Sequence, residues 1–214
     1  MRKRIVLAAL ILALVWFCFR IVRFSLYGFA YDFAINATAA LALRRGLPLY
    51  DPLVMRQLGG EYAGSKLLAL FTHPFNSYIG PPTTALLLVP FSLLPYPTAI
   101  TIYRVCCLVV FVAAFWIAGR SVPRESRTRG VLWAFFALLL WDGVYVSITI
   151  GQVDAFIALG FALSMLTTRR DQHWPTGIST GIAALLKISP SILIMAFGLR
   201  RYYREAAIAL VTIG

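Results

Sequence analysis

Only 8 of 214 residues are acidic, and one of them, Asp32 in Tyr31-Asp32-Phe33, stands just past the first long apolar run. A carboxylate at the rim of a membrane is costly without a task, so Asp32 is the first residue to suspect of chemistry, and its position points to an enzyme working at a membrane face. Lys187 is the second: it is the one charge between positions 183 and 199, inside an apolar run, where an ammonium needs an anionic partner, water, or a path along which its stem can reach the interface. Asp154 closes the turn-like Gly151-Gln152-Val153-Asp154, either as a second carboxylate in a cavity or as a first-turn residue favoured by the helix dipole. Arg20 and Arg23 share one face of the first apolar run and approach the same rim as Asp32. Arg104 lies within the apolar stretch 98–119 and must face the bundle or pair with something such as Asp142.

The solvent for these groups follows from composition. Hydrophobic residues make up 60% and charged residues 13% of the chain, with a mean hydropathy of +0.80, against about 25% charged residues in soluble domains. The chain therefore reads as an integral, multi-pass membrane protein. Its net charge of +12 comes from 20 basic residues gathered in short segments between apolar runs, the pattern of membrane topology and not of nucleic-acid binding. Cys18, Cys106 and Cys107 all lie in apolar runs and offer no disulfide framework. No second histidine or cysteine stands at ligand spacing from His73, so no metal site is predicted, although a divalent cation stays open.

Apolar runs cover 5–27, 83–119, 131–149, 153–168, 174–199 and 206 onward, with the longest loop at 28–82. Met1-Arg2-Lys3-Arg4 followed by an apolar stretch without a cleavage site predicts an uncleaved anchor. The chain stops inside an apolar run, which predicts that these residues are the amino-terminal part of something longer. Pro90, Pro95 and Pro97 break the second run and Pro190 the fifth, and such breaks are tolerated in a membrane where they border a cavity. Basic clusters at 2–4, 120–129, 169–170 and 200–204, placed on the cytoplasmic side, put the 28–82 loop, the 151–154 turn and Lys187 on the opposite face. That requires 83–97 to be short or re-entrant and 174–199 to turn back near Lys187. Within the loop, 34–43 and 53–58 show helix-like spacing expected of amphipathic helices on the membrane surface. Gly46 is a C-terminal stop, and Asp51-Pro52 reads as an N-cap with proline at the first helical position.

In order along the chain, Asp32-Phe33, Gly46-Leu47-Pro48-Leu49-Tyr50-Asp51-Pro52, Gly80-Pro81-Pro82 with its Leu-rich continuation, Gly151-Gln152-Val153-Asp154 and Lys187-Ile188-Ser189-Pro190 resemble glycosyltransferase family 87. The resemblance implies an all-α, polytopic transmembrane bundle of GT-C type: a first span at 1–27, an extracytoplasmic helical loop at 28–82 and a bundle at 83–214. It covers the amino-terminal half of that family's length. It departs from the family where an aromatic-Pro-Pro is replaced by Ile79-Gly80-Pro81-Pro82, and where Asp154 stands for an asparagine.

The same resemblance implies a hexose, mannose by family, carried on a polyprenyl phosphate and moved with inversion to a glycan or glycolipid acceptor outside a bacterial plasma membrane. Asp32 matches the family's essential aspartate and would act as general base toward an acceptor hydroxyl, or else cap the following helix. Lys187, with Arg20 or Arg23, would meet the negative charge that grows on the donor phosphate, or else the two arginines would anchor the chain at lipid head groups. Tyr31, His73, Gln152 and Asp154 are expected to touch substrate. Gln152 would equally serve backbone groups at a helix break, and His73 would equally be an incidental loop residue. Two other readings compete with this one. A transporter or lipid-carrier flippase subunit also predicts broken helices and buried charge, but favours internal repeats, which the sequence lacks. A non-catalytic scaffold would tolerate asparagine at position 32.

Overall fold

Proline and glycine set where helices can begin and end in this apolar chain, and the computed structural model follows them; it describes residues 2–27, 30–64 and 78–214. Among these residues every regular element is helical, and the protein is an all-α membrane protein. Helix α1 (Arg2–Tyr27) has 26 residues, about 39 Å of rise, and Arg4–Phe24 is long and apolar enough to cross a bilayer. Helix α2 (Tyr31–Arg44) ends where Gly46 adopts φ +66°, and α3 (Pro52–Ala63) begins with Asp51 accepting from the Leu53 and Val54 amides. Pro82 opens the short α4 (Pro82–Leu88), and a 3-10 turn at Phe91–Leu93 leads to α5 (Tyr96–Arg120), the second helix able to span a bilayer.

Helices α6 (Arg127–Leu140) and α7 (Asp142–Ile150) meet at Trp141, whose extended backbone bends the axis by 53° over the stretch from Arg124 to Ile150, which would make a third crossing if it acts as one span. Then come α8 (Asp154–Thr168), α9 (His173–Leu186), a 3-10 turn at Ser189–Ser191, α10 (Ile192–Leu199) and α11 (Tyr203–Ile213).

Small residues bring the later helices together. Between α8 and α9, Gly160 lies against Ala183, Ser164 and Thr180 share a hydrogen bond at 2.9 Å, and Thr167 and Thr176 share one at 2.7 Å, so these helices run antiparallel. Between α9 and α11 the pairs are His173 with Glu205, Gly177 with Ile208 and Gly181 with Thr212, so these run parallel. The chain from Lys187 to Tyr202 must therefore travel back along the bundle. Gly119 of α5 and Gly130 of α6 also meet: a Cβ at Gly130 would stand 2.6 Å from the Gly119 carbonyl.

These pairings sort the helix ends into two groups. One end of the bundle holds the starts of α2, α4, α5 and α8 and the ends of α7 and α9; the other holds the ends of α5 and α8 and the starts of α6, α9 and α11. The basic clusters at 120–129, 169–170 and 200–204 share this second end.

Helix α2 differs from the surface helix its sequence suggested. Nine of its 14 residues are buried, Phe33, Ala34, Ile35, Ala37, Thr38, Ala39, Ala40, Leu41 and Ala42, because its alanines let α3, α4 and α7 approach from several sides. Helix α3 buries one face, through Met55, Leu58 and Gly59. Asp142 also differs: it pairs with Arg20, while Arg104 donates to the Thr149 carbonyl at 2.8 Å. A Cβ at Gly177 would stand 2.5 Å from that of Ile208. Gly177→Val should therefore lower stability by about 1–3 kcal/mol, read as a drop in the thermal transition of the purified protein, while Gly198→Ala, in open space within a helix, should not lower it.

Candidate active site

Gly151 is the joint of the site. It ends α7 in the left-handed conformation at φ +81°, and a Cβ there would lie 2.4 Å from the Phe33 Cβ. Only glycine satisfies both the dihedral and the close approach. The amides of Gly151 and Gln152 both return to the Ser147 carbonyl, at 3.0 and 2.9 Å, closing the helix end. From α5, the Tyr103 hydroxyl donates to the Gln152 carbonyl at 2.9 Å and Arg104 to that of Thr149. The turn is thus pressed on α2 from one side and tied to α5 from the other. Its products are Gln152, facing the first turn of α2, and Asp154, opening α8.

Lys187 reaches the same place from a different break. Helix α9 ends at Leu186, and Lys187 is extended, with φ −158° and ψ 139°. The last carbonyls of α9 are taken by threonines of α4: Thr84 donates to Leu186 at 2.6 Å and Thr83 to Leu185. This replaces the hydrogen bonds that Ser189-Pro190 cannot continue and fixes the direction of the lysine. Its Nζ donates to Asp154 Oδ1 at 3.1 Å, with both side chains partly exposed.

Asp32, Gln152 and Lys187 line one cavity of about 280 Å³, with Tyr31, Asn36 and Thr84. Asp32 is the second residue of α2, and no side chain caps that helix, so the carboxylate is not consumed as an N-cap. Burial pushes the Asp32 carboxyl above its ordinary value near 3.8, and the negative charge of Asp154 adds to the rise; hydrogen bonding from Gln152 and the charge of Lys187 oppose it. The Tyr31 hydroxyl is also raised, first by burial and then by Asp32. The wall facing them is braced by Tyr78, whose hydroxyl donates to the Pro81 carbonyl, and by Tyr50, which stacks on Tyr78 at 5.7 Å and donates to Gly80 at 3.2 Å.

A second space adjoins. An apolar groove of about 520 Å³ runs between α5, α7 and α8 past Phe111, Phe115 and Phe161 and ends at Asp154, Ser189 and Pro190. Polar chemistry and an apolar channel therefore meet at the Asp154–Lys187 pair. Among the described residues no group of three or more His, Cys, Asp or Glu side chains is placed to hold a metal ion.

The structure gathers Tyr31, Asp32, Gln152, Asp154 and Lys187 at one end of the bundle. It does not bring Arg20 or Arg23 into the cavity: Arg20 pairs with Asp142 and lies 3.8 Å from the Tyr145 ring centre, and Arg23 is exposed. Arg20, about two turns before the end of the outer helix α1, lies against α7 instead. His73 lies outside the described residues. Asn36 and Thr84 were not singled out in the sequence. Asn36 stands four residues after Asp32, one helical turn, which was the available signal.

A protein-family model described as Glycosyltransferase family 87 matches residues 78–214. The polyprenol-phosphate-mannose-dependent alpha-(1-2)-phosphatidylinositol mannoside mannosyltransferase of Mycobacterium tuberculosis (strain ATCC 25618 / H37Rv) is 27% identical over 146 residues, 62% of this chain and 34% of that protein. The polyprenol-phosphate-mannose-dependent alpha-(1-2)-phosphatidylinositol pentamannoside mannosyltransferase of Mycolicibacterium smegmatis (strain ATCC 700084 / mc(2)155) is 27% identical over 140 residues, 63% of this chain and 33% of that protein. The chain spans about a third of the length of these curated relatives. No solved structure matches it.

Because Gly151 carries both the strained dihedral and the contact with Phe33, Gly151→Ala should cost about 3 kcal/mol in unfolding measurements on the purified protein. Gly46→Ala, strained but in open space, should cost about 1 kcal/mol.

Proposed function

The chain belongs to glycosyltransferase family 87, and from that premise we propose that it moves mannose from a polyprenyl-phosphate donor to a glycan or glycolipid acceptor with inversion at the anomeric carbon. The observation that carries this reading is the meeting of a carboxylate, Asp32, and a cation, Lys187, in one cavity with an apolar groove ending beside them. The carboxylate would take the proton of an acceptor hydroxyl as that oxygen attacks the sugar carbon. The bond from that carbon to the phosphate oxygen breaks, the electron pair leaves with the phosphate, and Lys187 meets the growing charge. Atoms balance as a mannoside and a free polyprenyl phosphate, with the proton on Asp32.

The groove of about 520 Å³ suits the isoprenoid tail, because its lining is mostly apolar and its polar groups, Asp154 and Ser189, stand at the end where the phosphate would lie. At about 280 Å³ the Asp32 cavity sits at the small end of ligand pockets, fitting a single hexose. Gln152 and Asn36 offer amides for sugar hydroxyls. Asp154 holds the Lys187 ammonium in place and is a positioning residue. The names of the mycobacterial relatives favour a lipid-anchored mannoside as acceptor. Asp32 lies ahead of the family-matched residues, so its role as base rests on its place in the cavity; Gln152, Asp154 and Lys187 lie within them.

The test is sugar transfer in membranes from labelled polyprenyl-phosphate-mannose, comparing the unaltered protein with Asp32→Asn at matched expression. Transfer should fall by about 10²–10⁴-fold. The raised carboxyl also means that ionised Asp32 costs stability as pH rises through its folded value, so the asparagine variant should melt no lower than its parent at neutral pH. Equal transfer by both proteins would remove Asp32 from the mechanism.

A base must be ionised, so activity should fall at acid pH, with a limb set by the raised Asp32 value. Asp154→Asn removes a negative neighbour and should move that limb to lower pH, while Lys187→Met removes the opposing cation and should move it higher. Limbs that do not move in either variant would show that another group titrates.

A further inference from the structure

At the end of the bundle away from Asp32, a cavity of about 560 Å³ opens between the end of α5, the start of α6 and the end of α8. Arg120, Arg124, Arg127, Arg169 and Arg170 line it, with Trp116, Ile117 and Leu166 as an apolar wall and no carboxylate in the lining. Among the described residues none of these arginines forms an ion pair; Arg120 lies over the Trp116 ring at 4.6 Å. Glu125 and Asp171 are neighbours in sequence, yet among the described residues neither takes an arginine as an ion-pair partner.

Orientation of the chain in a membrane and the partial negative charge at two helix ends explain why arginines occur here. Neither explains why arginines from two separate loops, about 45 residues apart, converge on one concave space beside an apolar wall. Five guanidinium groups so close repel one another, and planar forks of this kind pair with phosphate oxygens through two parallel hydrogen bonds. The wall of Trp116, Ile117 and Leu166 belongs to helices that continue into the apolar bundle, which suits a ligand whose charged head has an attached acyl chain. We propose that this cavity binds the phosphate headgroup of an anionic phospholipid, at the face opposite the candidate active site. The apolar wall distinguishes a lipid from free phosphate, and basic pockets between membrane helices take such headgroups elsewhere.

The experiment uses the full chain purified in detergent and a fluorescent short-chain phosphatidylglycerol, with the matching phosphatidylcholine and inorganic phosphate as alternatives. Phosphatidylglycerol should bind at least tenfold tighter than phosphatidylcholine. Arg124→Gln/Arg127→Gln/Arg170→Gln should abolish that preference. Leu166→Trp keeps every charge and fills the apolar wall, and should weaken phosphatidylglycerol at least fivefold without moving the thermal transition. Equal binding of the two lipids would overturn the proposal, as would inorganic phosphate binding as tightly as phosphatidylglycerol, or an affinity indifferent to Leu166→Trp. Because all readouts are binding and melting, they do not depend on sugar transfer.

Discussion

The contact between the Gly151 turn and the first turn of α2 governs the relative placement of the polar groups in the candidate active site. It is a backbone-to-backbone approach, fastened by the buried Tyr103 hydroxyl on the Gln152 carbonyl. Tyr103 is itself held by rings: Phe33 lies 4.9 Å and Phe91 5.2 Å from its centre. Those rings come from α2 and from the 3-10 turn before α5, so one aromatic cluster sets the spacing of three chain segments at once. Aromatic packing of this kind is stiff and apolar, and it lets a charged surface be built on its edge without water entering behind it.

The electrostatics at that edge are unbalanced in a useful way. Two carboxylates, Asp32 and Asp154, face a single ammonium, Lys187. In the proposed reaction an incoming phosphate has to share that ammonium with Asp154, which tempers ground-state binding. The interaction strengthens as charge moves onto the leaving phosphate, which is when it lowers the barrier. The same competition would speed departure of the spent lipid phosphate.

Features set by local chemistry were legible in the sequence. Asp51-Pro52 as a cap, Gly46 as a stop, the short helix among Pro82, Pro90 and Pro95, and the break at Lys187 all follow from backbone rules that act within a few residues. The partner of Lys187 was not legible, because Asp154 is 33 residues away and the pairing exists only once α8 and α9 are packed. Arg20 with Asp142, 122 residues apart, is the same case. The burial of α2 escaped because an alanine-rich pattern suits a crowded interior and an interface alike; only its neighbours decide. Gly177-x-x-x-Gly181, a small-residue spacing that went unused in the sequence, marks the contact with α11.

One wall of the cavity is tied together by threonines of α4 on the last carbonyls of α9, a link across 102 residues. Translation at about 5–20 residues per second means that Asp32 leaves the ribosome on the order of ten seconds or more before Lys187 does. During that interval the carboxylate has neither its cation nor the wall that Thr84 and the end of α9 give the cavity. The pocket is therefore a late product of biogenesis. A chain halted before the ninth helix would carry its first carboxylate without the cation that faces it in the finished fold.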